Sequence, residues 1–234
     1  MKDFSNRYIM VFSVVMVVSV AILLSLTALL LQPMQQKNLE VEKKMNILSS
    51  MNVASTKSDA VELYDRHITD SYVVNVEGNR VEGVDAFTVN LREEQKKPLE
   101  EQSLPVFIAV TDNSDTLHIL PLEGKGLWGP IWGYVSLKKD LSTIEGVTFD
   151  HKGETPGLGA EISTTPFESQ FHDKSIFRDG KFVGIQVVKG GADPQNLYEV
   201  DGISGGTITS KALQKMMLDC LGNYKSFFKS KRMQ

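Results

Sequence analysis

Hydrophobic and polar positions divide the chain into three regimes. From Tyr8 to Leu31 nearly every residue is apolar and none is charged. At about 1.5 Å per residue a helix of this stretch spans about 36 Å, enough for a hydrocarbon core of about 30 Å. It is too long for the core of a signal peptide, and Gln32-Pro33-Met34 follows it instead of a small-x-small cleavage site. A permanent transmembrane anchor is therefore expected. Ser13, Ser19, Ser25 and Thr27 would bond the helix backbone or pack against other membrane helices, and Tyr8 suits the aromatic interface position.

The middle regime mixes helical and strand-like periods. Residues 34–50 read as helix, with Val41, Met45 and Leu48 on one face, and Ser58–His67 as a short helix capped by Ser58. Tyr72–Val76, Leu104–Thr111, Thr116–Leu122, Val135–Leu137 and Ile144–Phe149 read as strands. The charge-dense stretch Arg92–Glu101 reads as a solvated helix or loop. A helix is expected to start at Thr164 or Thr165 with Pro166 at its first position. Lys181–Lys189 alternates as a strand, with Phe182, Gly184, Gln186 and Val188 on one side and Val183, Ile185 and Val187 on the other; Gly190–Pro194 is a loop.

In the last regime Leu213, Met216, Met217, Cys220, Leu221, Tyr224, Phe227 and Phe228 recur at helical spacing and share one face. Thr209 or Ser210 is the expected N-cap. Strands and helices without a regular βαβ alternation predict an α+β domain behind a single N-terminal transmembrane helix. The division expected is 1–33 for the N-terminus and anchor, 34–70 for a helical connection and 71–234 for the domain.

The 234 residues allow one anchor with one ordinary domain or two small ones. The net charge of -4 and the lack of a basic stripe argue against a nucleic-acid partner. Cys220 is the single cysteine, which excludes an internal disulfide and a four-thiolate iron–sulfur cluster; on an apolar helix face it reads as a buried structural thiol. His67, His118, His151 and His172 stand too far apart for a compact metal motif, and no metal ligands are assigned. Neither a Gly-x-Ser-x-Gly elbow nor a strand-to-helix Gly-x-Gly-x-x-Gly turn occurs, so an NADH site is not expected here.

Three segments carry candidate chemistry. Asp201-Gly202-Ile203-Ser204-Gly205-Gly206-Thr207-Ile208-Thr209-Ser210-Lys211 is a Gly/Ser/Thr turn delivering Thr207 to a helix N-terminus, where free N–H groups and the dipole favour a phosphate. It is not a Walker A loop, and by residue chemistry alone a Gly/Ser/Thr turn of this kind is more often a plain capped helix start than a phosphate site. Gly153-Glu154-Thr155-Pro156-Gly157-Leu158-Gly159 is a Pro-Gly turn in which Thr155 offers a hydroxyl and Leu158 an apolar surface. Gly124–Tyr134 sets Trp128, Trp132 and Tyr134 among glycines, so it is no regular helix; it is either a turn with aromatic packing or a wall against a planar ring.

The first segment resembles the motif Asp-Gly-x-Ser/Thr-Gly-Ala-Thr of FMN-binding domains that carry FMN on a threonine through a phosphoester. Gly206 stands where that family usually has alanine. The second resembles the Glu-Thr-Pro-Gly-Leu-Gly signature of the same domains. With the anchor, the combination is similar to the C subunits of the sodium-translocating NADH:quinone reductases, most closely over about residues 125–225. The resemblance implies covalent FMN on Thr207, with Ser204, Gly205, Gly206, Ile208, Thr209, Glu154, Thr155, Gly157, Leu158, Gly159 and Trp128 around it, and Asp201 and Ser204 as recognition residues for flavinylation. It implies a membrane-anchored electron-transfer subunit with the other subunits of the complex, membrane lipid and a separate flavin transferase, acting on FAD with magnesium, as partners. NADH and quinone sites would lie on other subunits. The G subunit of Rnf-type complexes shares both motifs, and a cofactor-free anchored assembly module is the reading from another class. The resemblance also implies a short cytoplasmic N-terminus at the inner membrane and a periplasmic domain. The flanking charges, Lys2 and Arg7 before the anchor against Lys37, Lys43 and Lys44 after it, slightly favour the opposite sense.

Overall fold

The computed structural model describes residues 5–232, so Lys2 of the charge count and the terminal Gln234 lie outside it. Two compact units divide between Lys43 and Lys44, a boundary that falls inside the stretch 34–70 expected as a connection.

Helix α1 (Asn6–Ser50) contributes to both units and runs through Pro33 without ending. Separate helices before and after residue 33 were expected. Proline inside a helix removes one backbone donor, a cost of about 3 kcal/mol, yet the helix continues past it. The N-terminal unit contains an apolar window with mean hydropathy 2.9, none of it buried. Within it Thr27 Oγ1 donates to the carbonyl of Leu23 at 2.8 Å, spending its hydroxyl on the helix itself.

The second unit is an α+β domain. It contains the last turns of α1, α2 (Ala60–His67), β1 (Ile68–Val74), β2 (Arg80–Val81), α3 (Leu91–Glu94), β3 (Leu104–Val110), β4 (Thr116–Lys125), β5 (Pro130–Leu137) and β6 (Ile144–His151). These are followed by α4 (Thr165–Glu168), β7 (Phe177–Arg178), β8 (Lys181–Phe182), β9 (Gln186–Val188), β10 (Glu199–Asp201), α5 (Thr207–Asn223) and α6 (Lys225–Arg232). The main sheet is antiparallel in the order β2-β1-β3-β4-β5-β6.

Both faces of this sheet are buried, and the strand alternation assigns each residue to one of them. Leu104, Val106, Leu120, Leu122, Ile131 and Val135 meet Leu213, Met216, Met217, Leu221, Tyr224, Phe227 and Phe228 of α5 and α6. Phe107, Ala109, Leu117, Ile119 and Tyr134 face the other way, onto Ile47, Leu48 and Met51. Each large side chain so buried contributes on the order of 1.5–3 kcal/mol. The Tyr224 hydroxyl donates to the Pro105 carbonyl at 2.7 Å, joining the end of α5 to β3. Burial holds its phenol far above the usual range.

Several local expectations change. The C-terminal apolar face is buried throughout, Cys220 included, but the helix breaks at Tyr224 and resumes as α6. Ser58 does not cap α2; its hydroxyl pairs with Thr56 while Asp59 occupies the N-cap. Lys181–Lys189 is no continuous strand. β8 pairs back on β7 across the Asp179-Gly180 turn, and Gly184 at φ +66 turns the chain after β8, so that β9 pairs in parallel with β10 instead. The glycine- and tryptophan-rich segment is mostly regular strand: β4 extends through Lys125, β5 begins at Pro130, and the Gly126 N–H closes the hairpin on the Gly129 carbonyl at 2.7 Å.

Candidate functional site

The acceptor turn follows from one glycine. Gly206 N–H donates to the Ile203 carbonyl at 3.0 Å, and Gly205 lies at φ +76, which is a tight turn requiring a left-handed third residue. Ser210 Oγ accepts from Ile203 N–H at 3.0 Å and fastens the turn to the helix. α5 therefore starts at Thr207, with Gly206 as N-cap and no side-chain cap. This corrects the expectation that Thr209 or Ser210 caps the helix: both hydroxyls lie inside the first turn, buried and engaged elsewhere. Thr207 is the first helical residue, half-buried, with the uncapped N–H groups of the first turn beside it.

The second segment comes from the end of β6. The Thr155 carbonyl accepts from Leu158 and Ala160 N–H, both at 3.1 Å, and Gly157 N–H donates to Glu161 Oε1 at 3.0 Å. The turn lays Leu158 over Gly205, where a β-carbon on residue 205 would come within 2.6 Å of Leu158 Cδ2. Gly159 is buried between the Glu154 carboxylate and the Thr209 hydroxyl, with no room for a side chain.

Glu154 binds three segments together. Its Oε1 accepts from Trp128 N–H at 2.9 Å and its Oε2 from the Thr209 hydroxyl at 2.5 Å. Its own N–H donates to His151 Nδ1 at 3.3 Å. Trp128, at the tip of the β4–β5 hairpin, thus joins the site through its backbone, and the residue is 69% exposed. Ile208 is 60% and Leu158 41% exposed, so apolar side chains face solvent beside Thr207.

A cleft of about 610 Å³ opens along the acceptor turn, lined among others by Val187, Gly191, Asp201, Ser204, Gly205, Thr207 and Lys211. Asp201 is not buried in it as a ligand-facing acid alone. Its Oδ1 accepts from Ala192 N–H, which holds the loop whose Gly190 and Gly191 line the cleft, and its N–H donates to Gln170 Oε1 at 2.7 Å. Ser204 is exposed and also lines the cleft.

Lys211 was not singled out from the sequence as a site residue. It lies one helical turn after Thr207, on the same face, and lines the cleft. That four-residue spacing was the available signal. Lys211 also lines a separate groove of about 850 Å³ between β4 and α5, floored by Met216 and Cys220. There burial pushes the Cys220 thiol up to about 11, and its Sγ donates to the Glu123 carbonyl at 3.3 Å, as befits an inert structural thiol. Among the described residues no group of three or more His, Cys, Asp or Glu is arranged to hold a metal.

Residues 126–222 match the FMN-binding domain family. The C subunit of the Na(+)-translocating NADH-quinone reductase of Vibrio vulnificus (strain YJ016) is 30% identical over 200 residues, covering 79% of this chain and 78% of its own. The corresponding C subunit of Pseudomonas aeruginosa is 30% identical over 214 residues, covering 82% of each. The crystal structure of the C subunit from Parabacteroides distasonis ATCC 8503 superposes with a TM-score of 0.79 at 42% identity, over 85% of this chain and 96% of that one. Shewanella oneidensis NqrC, 24% identical with a TM-score of 0.73, shares the fold over 83% of this chain and 98% of its own. The chain belongs to the family of C subunits of the Na(+)-translocating NADH-quinone reductases.

Proposed function

We propose that this chain carries FMN covalently, as a phosphoester on Thr207, and relays electrons between neighbouring centres of a sodium-translocating NADH:quinone reductase. The observation that carries the reading is the meeting of two motif segments, about fifty residues apart in sequence, around one half-buried threonine: Leu158 lies over Gly205 and Glu154 bonds Thr209. The residues fit the group. Uncapped N–H groups at the α5 terminus suit a phosphate, Lys211 supplies a cation one turn on, and exposed Leu158, Ile208 and Trp128 offer apolar surface to a planar ring.

Bound FMN would supply reversible one- and two-electron chemistry. The chain's own part is to hold it. The Thr207 oxygen fixes its phosphate, the Gly205 turn fixes that oxygen, and the loop of Thr155, Gly157, Leu158 and Gly159 shields the ring edge. Asp201 and Ser204, which both line the cleft, serve recognition by the flavin transferase. A phosphoester leaves the ring chemistry untouched while preventing loss of the cofactor. NADH oxidation and quinone reduction belong to partner subunits, and the domain lies outside the cytoplasm, tethered by the apolar part of α1.

The test is peptide mass spectrometry of the protein purified from membranes. An FMN adduct on the peptide containing Thr207, with flavin absorbance surviving denaturation, is expected. A flavin-free protein would leave only an anchored assembly module. A reporter fused to the C-terminus should be active only outside the cytoplasm; cytoplasmic activity overturns the topology.

A further inference from the structure

Glu154 is the only Asp or Glu among the described residues that is buried, at 4% exposure. It also forms no ion pair among them. Its two oxygens each take one donor, the Trp128 amide and the Thr209 hydroxyl, which is how an ionised carboxylate is satisfied. A buried negative charge without a cationic partner is an expensive feature to build merely to join a hairpin to a helix. A glutamine of the same shape would join them as well, accepting from Trp128 and donating to Thr209.

The charge sits at the first turn of α5, two residues from Thr207 through Thr209 and directly beneath the hairpin tip through Trp128. Lys189, Asp201 and Lys211, which line the adjoining cleft, are exposed and therefore screened by solvent and salt. Glu154 acts through protein, where a unit charge is felt more strongly. Adding an electron to a flavin held here would be opposed by that charge.

Resting on the assignment of FMN to Thr207, we propose that Glu154 is a positioning residue with two separable effects. It locks the Trp128 tip and the 154–159 loop onto α5, and its charge holds the reduction potential of the flavin down. The first effect needs hydrogen-bond geometry alone; the second needs the charge.

The experiment uses the full chain purified from membranes with its transferase present, as parent, Glu154→Gln, Glu154→Ala and Thr209→Val. Three quantities are read: the FMN adduct by peptide mass, the flavin potential by spectroelectrochemical titration, and exchange of the Trp128 amide by hydrogen–deuterium mass spectrometry. Glu154→Gln should keep the adduct and the slow Trp128 exchange while its flavin titrates at a more positive potential. Glu154→Ala should speed exchange over residues 126–129. Thr209→Val, which removes a donor and keeps the charge, should titrate no higher than the parent. An unchanged potential in Glu154→Gln, or an equal rise in Thr209→Val, overturns the charge effect. Unchanged Trp128 exchange in Glu154→Ala overturns the positioning effect. Absence of the adduct in the parent is a different failure, that of Thr207 itself, and is read before any variant is compared.

Discussion

The hydroxyl of Thr209 lies 2.5 Å from Glu154 Oε2, a contact that Thr207 does not share. Thr209 is buried, with its hydroxyl committed to a carboxylate, whereas Thr207 is half-buried on the cleft. Thr207→Ala should abolish the FMN adduct and change stability by less than about 1 kcal/mol. Thr209→Val should keep the adduct and cost about 1–3 kcal/mol, since a buried acceptor loses its donor. Peptide masses and urea unfolding curves check both. An adduct that persists in Thr207→Ala and vanishes in Thr209→Val moves the acceptor to Thr209.

On the proposed reading Leu158 and Trp128 would touch the ring and not form the bond, because neither carries a nucleophile and both stand exposed. Leu158→Ala and Trp128→Ala should each retain the adduct while shifting the flavin absorbance or its redox midpoint. Spectra and potentials identical to the parent in both variants would reduce these side chains to packing.

Lys211 shares the Thr207 face of α5, one turn on. An exposed cation there should attract the phosphate groups of an incoming flavin nucleotide, so Lys211→Ala should slow modification several-fold and Lys211→Arg should restore most of the rate. The fraction of modified peptide against time, at low and at raised salt, is the measurement. Equal rates for Lys211→Ala and the parent at low salt contradict the role.

His118 gives a pH dependence of known sign. Its Nδ1 is buried without a hydrogen-bond partner among the described residues, its ring packs edge-on to Phe227 with centroids 6.3 Å apart, and Lys231 lies near. Burial first, and then Lys231, lower its pKa from 6.5 to about 4. The folded chain therefore refuses a proton that the unfolded chain accepts, and this residue makes stability fall as pH drops from about 6.5 to about 4, with no further loss below. Glu123 and Glu168, whose carboxyls burial pushes up, act in the opposite sense, so the parent curve alone does not isolate it. His118→Leu should flatten the stability curve in that window, so that the difference between parent and variant slopes with pH there; unfolding midpoints at closely spaced pH values, with no difference in slope between the two proteins, would contradict this.

The sequence made the C-terminal core face legible because Leu213 to Phe228 obey helical spacing, and each of those side chains is buried. It also brought out both motif segments, which carry unusual residues at fixed spacing. What escaped it depended on tertiary contacts. Thr209 and Ser210 have the chemistry of caps, yet the Gly205 turn starts the helix earlier and hands their hydroxyls to Glu154 and to Ile203. Lys181–Lys189 has the period of a strand, yet Gly184 turns the chain under Leu218. The alternation around Trp128 was hidden by glycines that the hairpin accommodates between long strands. Lys211 was passed over because only the fold sets it beside a cleft.

The contact between Glu154 and Thr209 exists only once β6, the loop after it and α5 have come together. Before that moment Thr207 is one hydroxyl among many on a disordered chain, with neither a fixed turn before it nor Leu158 across from it. A transferase that reads this environment would load folded molecules and pass over the rest. Cofactor content would then act as a checkpoint on assembly, so that variants in which β6, the loop after it and α5 fail to come together would stay unlabelled chains and drop out of the electron path without any change to the acceptor itself.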